Sequence, residues 1–159
     1  MTGIDWIILL VGLMIVIIQT ARGAKEMDIP LFEMLALLLA TWIALKSYST
    51  IANLLSISQA ISLSVIFLLM AIVLLYIAKL ITTRLELTWE PFDTYLSFIF
   101  GIATAWIILH LLLRLILVAT EPNSQISVLI QNSPVAKEIL EFNTFRAIGK
   151  FLNEVKLGE

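Results

Sequence analysis

SYSTIANLLSISQAISLSVIFLLMAIVLLYIA, residues 47–78, is a run of 32 amino acids without a formal charge. A second run, TYLSFIFGIATAWIILHLLL at 94–113, adds 20 more. About 20 apolar residues in a helix cross the ~30 Å hydrocarbon layer of a bilayer. These runs therefore decide the fold class: an all-α polytopic membrane protein, with the lipid bilayer as its first partner. Two further apolar blocks lie nearer the N-terminus, and over these blocks the charges are confined almost entirely to the gaps and span ends. The sequence predicts four spans at about 4–20, 31–46, 61–81 and 92–117 in a membrane domain over 1–120. The remainder, 121–159, reads as an amphipathic tail.

Composition supports this and narrows the chemistry. Hydrophobic residues make up 60% of the chain and charged residues 14%, with a mean hydropathy of +1.02. Soluble domains carry about 25% charged residues, so this chain has too little polar surface to coat a water-soluble globule. Ten Lys and Arg against twelve Asp and Glu leave a net charge of −2, and the basic residues form no contiguous patch. No nucleic-acid partner is expected. The absence of cysteine excludes disulfides, thiolate nucleophiles, iron–sulfur ligation and covalent haem. With a single histidine besides, most protein-only zinc or copper sites are also excluded, so no metal and no cofactor is expected. Residues 1–5 hold Asp5 and no Lys or Arg, unlike the start of a cleavable signal. The first block is expected to stay as an anchor.

Along the chain, the first span rises only about 24 Å over sixteen residues. The gap after it carries Arg22, Lys25, Glu26 and Asp28, and Pro30 suits a first helical turn. The second span reads as ending near Trp42 and Lys46. Residues 47–60 are of intermediate apolarity, fitting either an interfacial helix or the first turns of a long, tilted third span. That span closes at Lys79 and Arg84. The fourth holds His110 and Arg114 near its end, and Glu121-Pro122 stops it. Trp6, Trp42, Trp89 and Trp106 have the placement of an aromatic belt.

In the tail, Ser133-Pro134 is a helix start, with Ser as cap and Pro at the first position. A second start is expected at Asn143 or Thr144. Beyond it Phe145, Ile148, Leu152 and Val155 recur at helical spacing, a docking stripe for the membrane surface, a partner, or the protein itself. For orientation, Arg22 with Lys25 and Lys79 with Arg84 outweigh the single Lys46 on the opposite side. The positive-inside rule makes those two gaps cytoplasmic and puts both termini, and the tail, outside.

Asp5 before span one, Arg22-Gly23 in the loop and Glu33 entering span two together resemble the colicin V production (CvpA-like) family of four-span bacterial inner-membrane proteins. Asp93, Ser97 and Gly101 match that family's Asp followed by small residues at fourth-residue steps, with Ser for the first Gly. The loop's second Arg-Gly is replaced by Glu26-Met27, and the Arg-Gly after the small-residue row by Thr104-Ala105. The resemblance covers most of 1–140. It implies association with toxin production or export and with envelope maintenance, without a defined molecular activity. Some relatives attach an extracytoplasmic serine protease after the spans, which the tail here is too short to form.

Asp93, Ser97, Gly101 and Ala105 lie on one helix face, and small residues let backbones approach in lipid. The plainer reading makes this face the contact with spans one to three; the functional one makes it a dock for a partner or a second copy. Arg22, Glu33 and Asp93 share one rim and form a candidate ion pair, with Asp93 and Arg22 able to clamp spans one and four. His110 could ligate a haem or pigment, but a hydrogen bond to a neighbouring helix is the plainer role, as snorkelling to the headgroups is for Arg114. No Ser or Thr has a base in the pattern, and no phosphate-binding loop occurs. The chain therefore reads as no enzyme but a membrane scaffold or accessory protein, acting through other membrane proteins or as a homo-oligomer. Two alternatives stay open: an auxiliary subunit of a respiratory or photosynthetic complex, and a small oligomeric channel or transporter.

Overall fold

The computed structural model describes residues 3–24, 26–85 and 92–142. They form six helices: α1 (Gly3–Gly23), α2 (Asp28–Leu55), α3 (Gln59–Leu85), α4 (Asp93–Ala119), α5 (Gln125–Asn132) and α6 (Pro134–Glu141). The first four are long and apolar enough to cross a membrane. Their ends follow the charges. Asp5 lies in the first turn of α1 and Arg22 in its last, Asp28 and Asp93 open α2 and α4, and Arg84 closes α3. Acids at the N-terminus and bases at the C-terminus complement the helix dipole.

The second span departs from the sequence reading. The helix does not end at 46: 47–55 forms no separate helix and no part of α3, but continues α2 to Leu55. Lys46 does not stop the helix, because its Nζ folds back 4.9 Å above the Trp42 ring one turn earlier. The charge is thereby carried on the helix surface by a cation–π contact. Nothing between 47 and 55 breaks a helix, since the segment has no Gly or Pro. The break comes at Ser56, in the left-handed region at φ 52, where the Ile57 N–H reaches the Ala52 carbonyl at 3.1 Å. That pairing satisfies a carbonyl the helix end would otherwise leave open. At 28 residues, α2 is ~42 Å long and exceeds the hydrocarbon layer, so it tilts or protrudes.

Packing resolves into two antiparallel pairs, α1 on α4 and α2 on α3, joined mainly through α2 and α4. Lipid tails are as apolar as leucine, so close backbone approach, not apolar burial, holds such helices together. Many of the buried residues are accordingly small, Ala36, Ala40 and Ala44 in α2, Ala71 and Ala78 in α3, Ser97, Gly101 and Ala105 in α4, beside a few large ones such as Leu63, Ile66 and Leu111. Large apolar side chains point outward instead, among them Ile7, Leu10, Leu13, Leu68, Ile72 and Ile99. Some buried polar groups tie helices together, as where Ser62 Oγ donates to the Tyr48 carbonyl at 2.9 Å and links α3 to α2.

After α4 the chain folds back. Ser124 caps α5, accepting from the Ser127 N–H; this short helix is not foreseen in the sequence reading. Ser133 caps α6 with Pro134 at its first position, as the sequence predicts. Ile130, Ala136 and Ile139 from α5 and α6 pack with Ile8 of α1 and with Leu109 and Leu113 of α4. The helix start at Asn143 or Thr144 and its stripe Phe145, Ile148, Leu152 and Val155 lie outside the described residues.

Candidate functional site

The row Asp93, Ser97, Gly101 and Ala105 is buried along its whole length. Its neighbour is α1. A Cβ on Gly101 would stand 3.2 Å from the Gln19 Cβ and 3.3 Å from the Val16 carbonyl oxygen. Ser97 Oγ donates to the Gly23 carbonyl at 2.8 Å. On the other side of the interface Gly12 faces Leu109 and Gly23 faces Ser97 and Pro30. Small residues on each helix thus let the other approach over several turns, Gly101 against Val16 and Gln19, Gly12 against Leu109 and Gly23 against Ser97, closed at one end by a hydrogen bond. No glycine here has positive φ; space, not backbone conformation, is what these positions need.

At the rim beside that bond, Arg22 grips Glu33 through both guanidinium nitrogens, at 2.8 and 2.6 Å. Gln19 Nε2 donates to the same carboxylate at 3.1 Å. This fork joins α1 to α2, while the tie between α1 and α4 runs through Ser97 and Gly23. Asp93 sits one turn before Ser97, 4% exposed, with interactions of its own. Arg22 is half exposed, so the pair adds geometry more than stability.

The opposite end holds a second constellation. Asp5 is fully buried in the first turn of α1 and accepts a short hydrogen bond from Ser133 Oγ. The same oxygen accepts from the Ala136 N–H at 2.9 Å. Ser133 therefore caps α6 and anchors it to α1 at once. Further along, His110 Nδ1 lies 2.9 Å from the Ile139 carbonyl oxygen. A carbonyl only accepts, so Nδ1 is the donor, and it serves one of the last α6 carbonyls that no helical N–H can reach. Phe142, left-handed at φ 54, brings its ring 5.8 Å from Trp106 and 5.4 Å from His110. Trp106 is thus part of this joint, whereas Trp6 and Trp42 are exposed and Trp89 lies outside the described residues.

Chemically, the two ends do one thing: they hold helices in register. The α5–α6 hairpin is pinned to α1 by Asp5 and to α4 by His110, and its outer side leaves Ile126, Val128 and Leu129 exposed. Among the described residues no three His, Asp or Glu side chains converge on a metal position. The Asp5–Ser133 pairing has no trace in the sequence, and for His110 the sequence suggests a hydrogen bond to a neighbouring helix without naming Ile139. Ser133 was readable as a cap and Asp5 as a rim acid, but nothing local couples positions 128 residues apart. A backbone carbonyl as the partner of His110 leaves no mark in the sequence at all.

The family model described as Colicin V production protein matches residues 4–144. Searches of curated proteins and of solved structures return no significant match.

Proposed function

Because the chain belongs to the colicin V production protein family, we propose that it is a non-catalytic membrane scaffold or accessory protein, acting through protein partners in envelope or secretion physiology. The observation that carries this reading is the pinned α5–α6 hairpin. Two hydrogen bonds from buried or half-buried side chains fix it to the spans, and Ile126, Val128 and Leu129 stand outward from it. A surface fixed in advance loses little conformational entropy when a partner docks. The setting is the bacterial inner membrane with both termini outside, supported by Arg22, Lys25, Lys79 and Arg84 at the opposite end.

The test is to purify the tagged protein at native expression in mild detergent and weigh the intact assembly by native mass spectrometry. Stoichiometric foreign subunits, lost on replacing Ile126 and Leu129 with serine, are the expected result. A bare monomer would overturn the reading. A homo-oligomer alone would favour a second one, a small oligomeric channel or transporter. One observation speaks for that alternative: the Thr41 and Thr104 hydroxyls are buried in the spans without a hydrogen-bond partner. Ion flux in liposomes, abolished by changing both to valine, would establish it.

A further inference from the structure

Arg114 lies five residues before the end of α4, ~7.5 Å inside the helix terminus at 1.5 Å per residue. At 27 residues α4 is ~40 Å long against a ~30 Å hydrocarbon layer, so this guanidinium stands at the headgroup boundary, where anions are at hand. Among the described residues Arg114 makes no ion pair, and neither does Lys137 of α6. Both line the same cavity of about 470 Å³, between the end of α4 and the α5–α6 joint. Its floor is Leu117, Ile130 and Leu140, and Gln131 and Asn132 add two side-chain amides. Glu141, the remaining charged residue on the wall, has an interaction of its own.

We infer that this cavity is a binding site for the headgroup of an anionic glycerophospholipid. Arg114 and Lys137 meet the phosphodiester, the first by a forked pair of N–H donors and the second as a point charge. Gln131 and Asn132 offer donors and acceptors to headgroup hydroxyls, and the three leucine and isoleucine side chains take the glycerol and upper acyl carbons. Charge selects the class. Two cations and one carboxylate leave the wall at +1, which matches a headgroup of net −1, such as phosphatidylglycerol, over zwitterionic ones. The position at a span end is the depth at which lipid phosphates lie.

The experiment uses the full chain in phosphatidylcholine nanodiscs doped with phosphatidylglycerol or phosphatidylethanolamine, released into native mass spectrometry to count retained lipids. Phosphatidylglycerol should be retained about tenfold over the other two. Arg114→Gln and Lys137→Gln should each cut that preference about fivefold, while Arg114→Lys keeps most of it. Tryptophan fluorescence of each variant checks that the bundle is intact, and the Lys137 variant, on the exposed side of α6, decides the matter if Arg114→Gln does not fold. Equal retention of all three lipids, or an unchanged preference in Lys137→Gln, would overturn the proposal. So would displacement by inorganic phosphate alone, which would make this a site for a soluble anion.

Discussion

Alanine at Gly23 would push a methyl group into Ser97 and Pro30. The added Cβ would stand 2.6 Å from the Ser97 Cβ and nearer still to Ser97 Oγ and Pro30 Cγ. Neither neighbour can yield: serine has no length to swing away and the proline ring is fixed. Overpacking of this kind costs about 1–3 kcal/mol. The displaced Ser97 also loses its 2.8 Å bond to the Gly23 carbonyl, about 0.5–1.5 kcal/mol more. Alanine's better helix propensity returns up to about 1 kcal/mol. The net loss is about 1–3 kcal/mol, a fall of about 3–10 °C in Tm for a chain of this size. Thermal unfolding in detergent, followed by tryptophan fluorescence, measures it. Gly3→Ala is the control, since a Cβ there meets nothing within 4 Å. Adding Ser97→Gly should recover part of the loss, a coupling the double-mutant cycle isolates. If Gly23→Ala melts with Gly3→Ala at the wild-type temperature, the small-residue interface between α1 and α4 is not what holds this end together.

Ser133→Ala should remove the α6 cap and the Asp5 donor at once, for about 2–3 kcal/mol; hydrogen exchange in α6 should accelerate, and adding Asp5→Asn should cost less than the two changes summed. His110→Leu should loosen only the last turn of α6, by about 1 kcal/mol, visible as faster exchange at the α6 amides with α1 to α4 unchanged; uniform acceleration across the spans would contradict the local role. Arg22→Gln and Glu33→Gln should each shift stability by less than about 1 kcal/mol, with the swapped pair Arg22→Glu and Glu33→Arg regaining the loss; a drop of several kcal/mol in either single variant would mean the fork supports more than one helix pair.

How far the residues announce this architecture depends on the range of the interaction. The spans are readable because lipid imposes one rule on every turn, and a run such as 94–113 satisfies it by itself. The end of α2 is not, because Lys46 looks like a boundary until Trp42 is seen beneath its ammonium. The face Asp93, Ser97, Gly101 and Ala105 can be drawn from fourth-residue spacing, yet only geometry says that α1 lies against it. Arg22 and Glu33 were readable as rim charges, and eleven residues of separation bring them together across one loop. Asp5 with Ser133 bridges all four spans and His110 with Ile139 reaches across α5, and α5 is too short for its periodicity to stand out.

Synthesis runs from the N-terminus, so the order in which the parts appear has a consequence for the Asp5–Ser133 bond. The acid enters the membrane with the first helix; its serine follows 128 residues later, after all four spans have emerged. Until then Asp5 has no Ser133 hydroxyl to accept from, and the joint between α1 and α6 cannot form. Closure of α6 over Asp5 therefore reports that every span is in place. A chain stalled or clipped before residue 133 lacks that closure, and with it the Ser133 donor and the α6 cap that the finished fold makes from one hydroxyl.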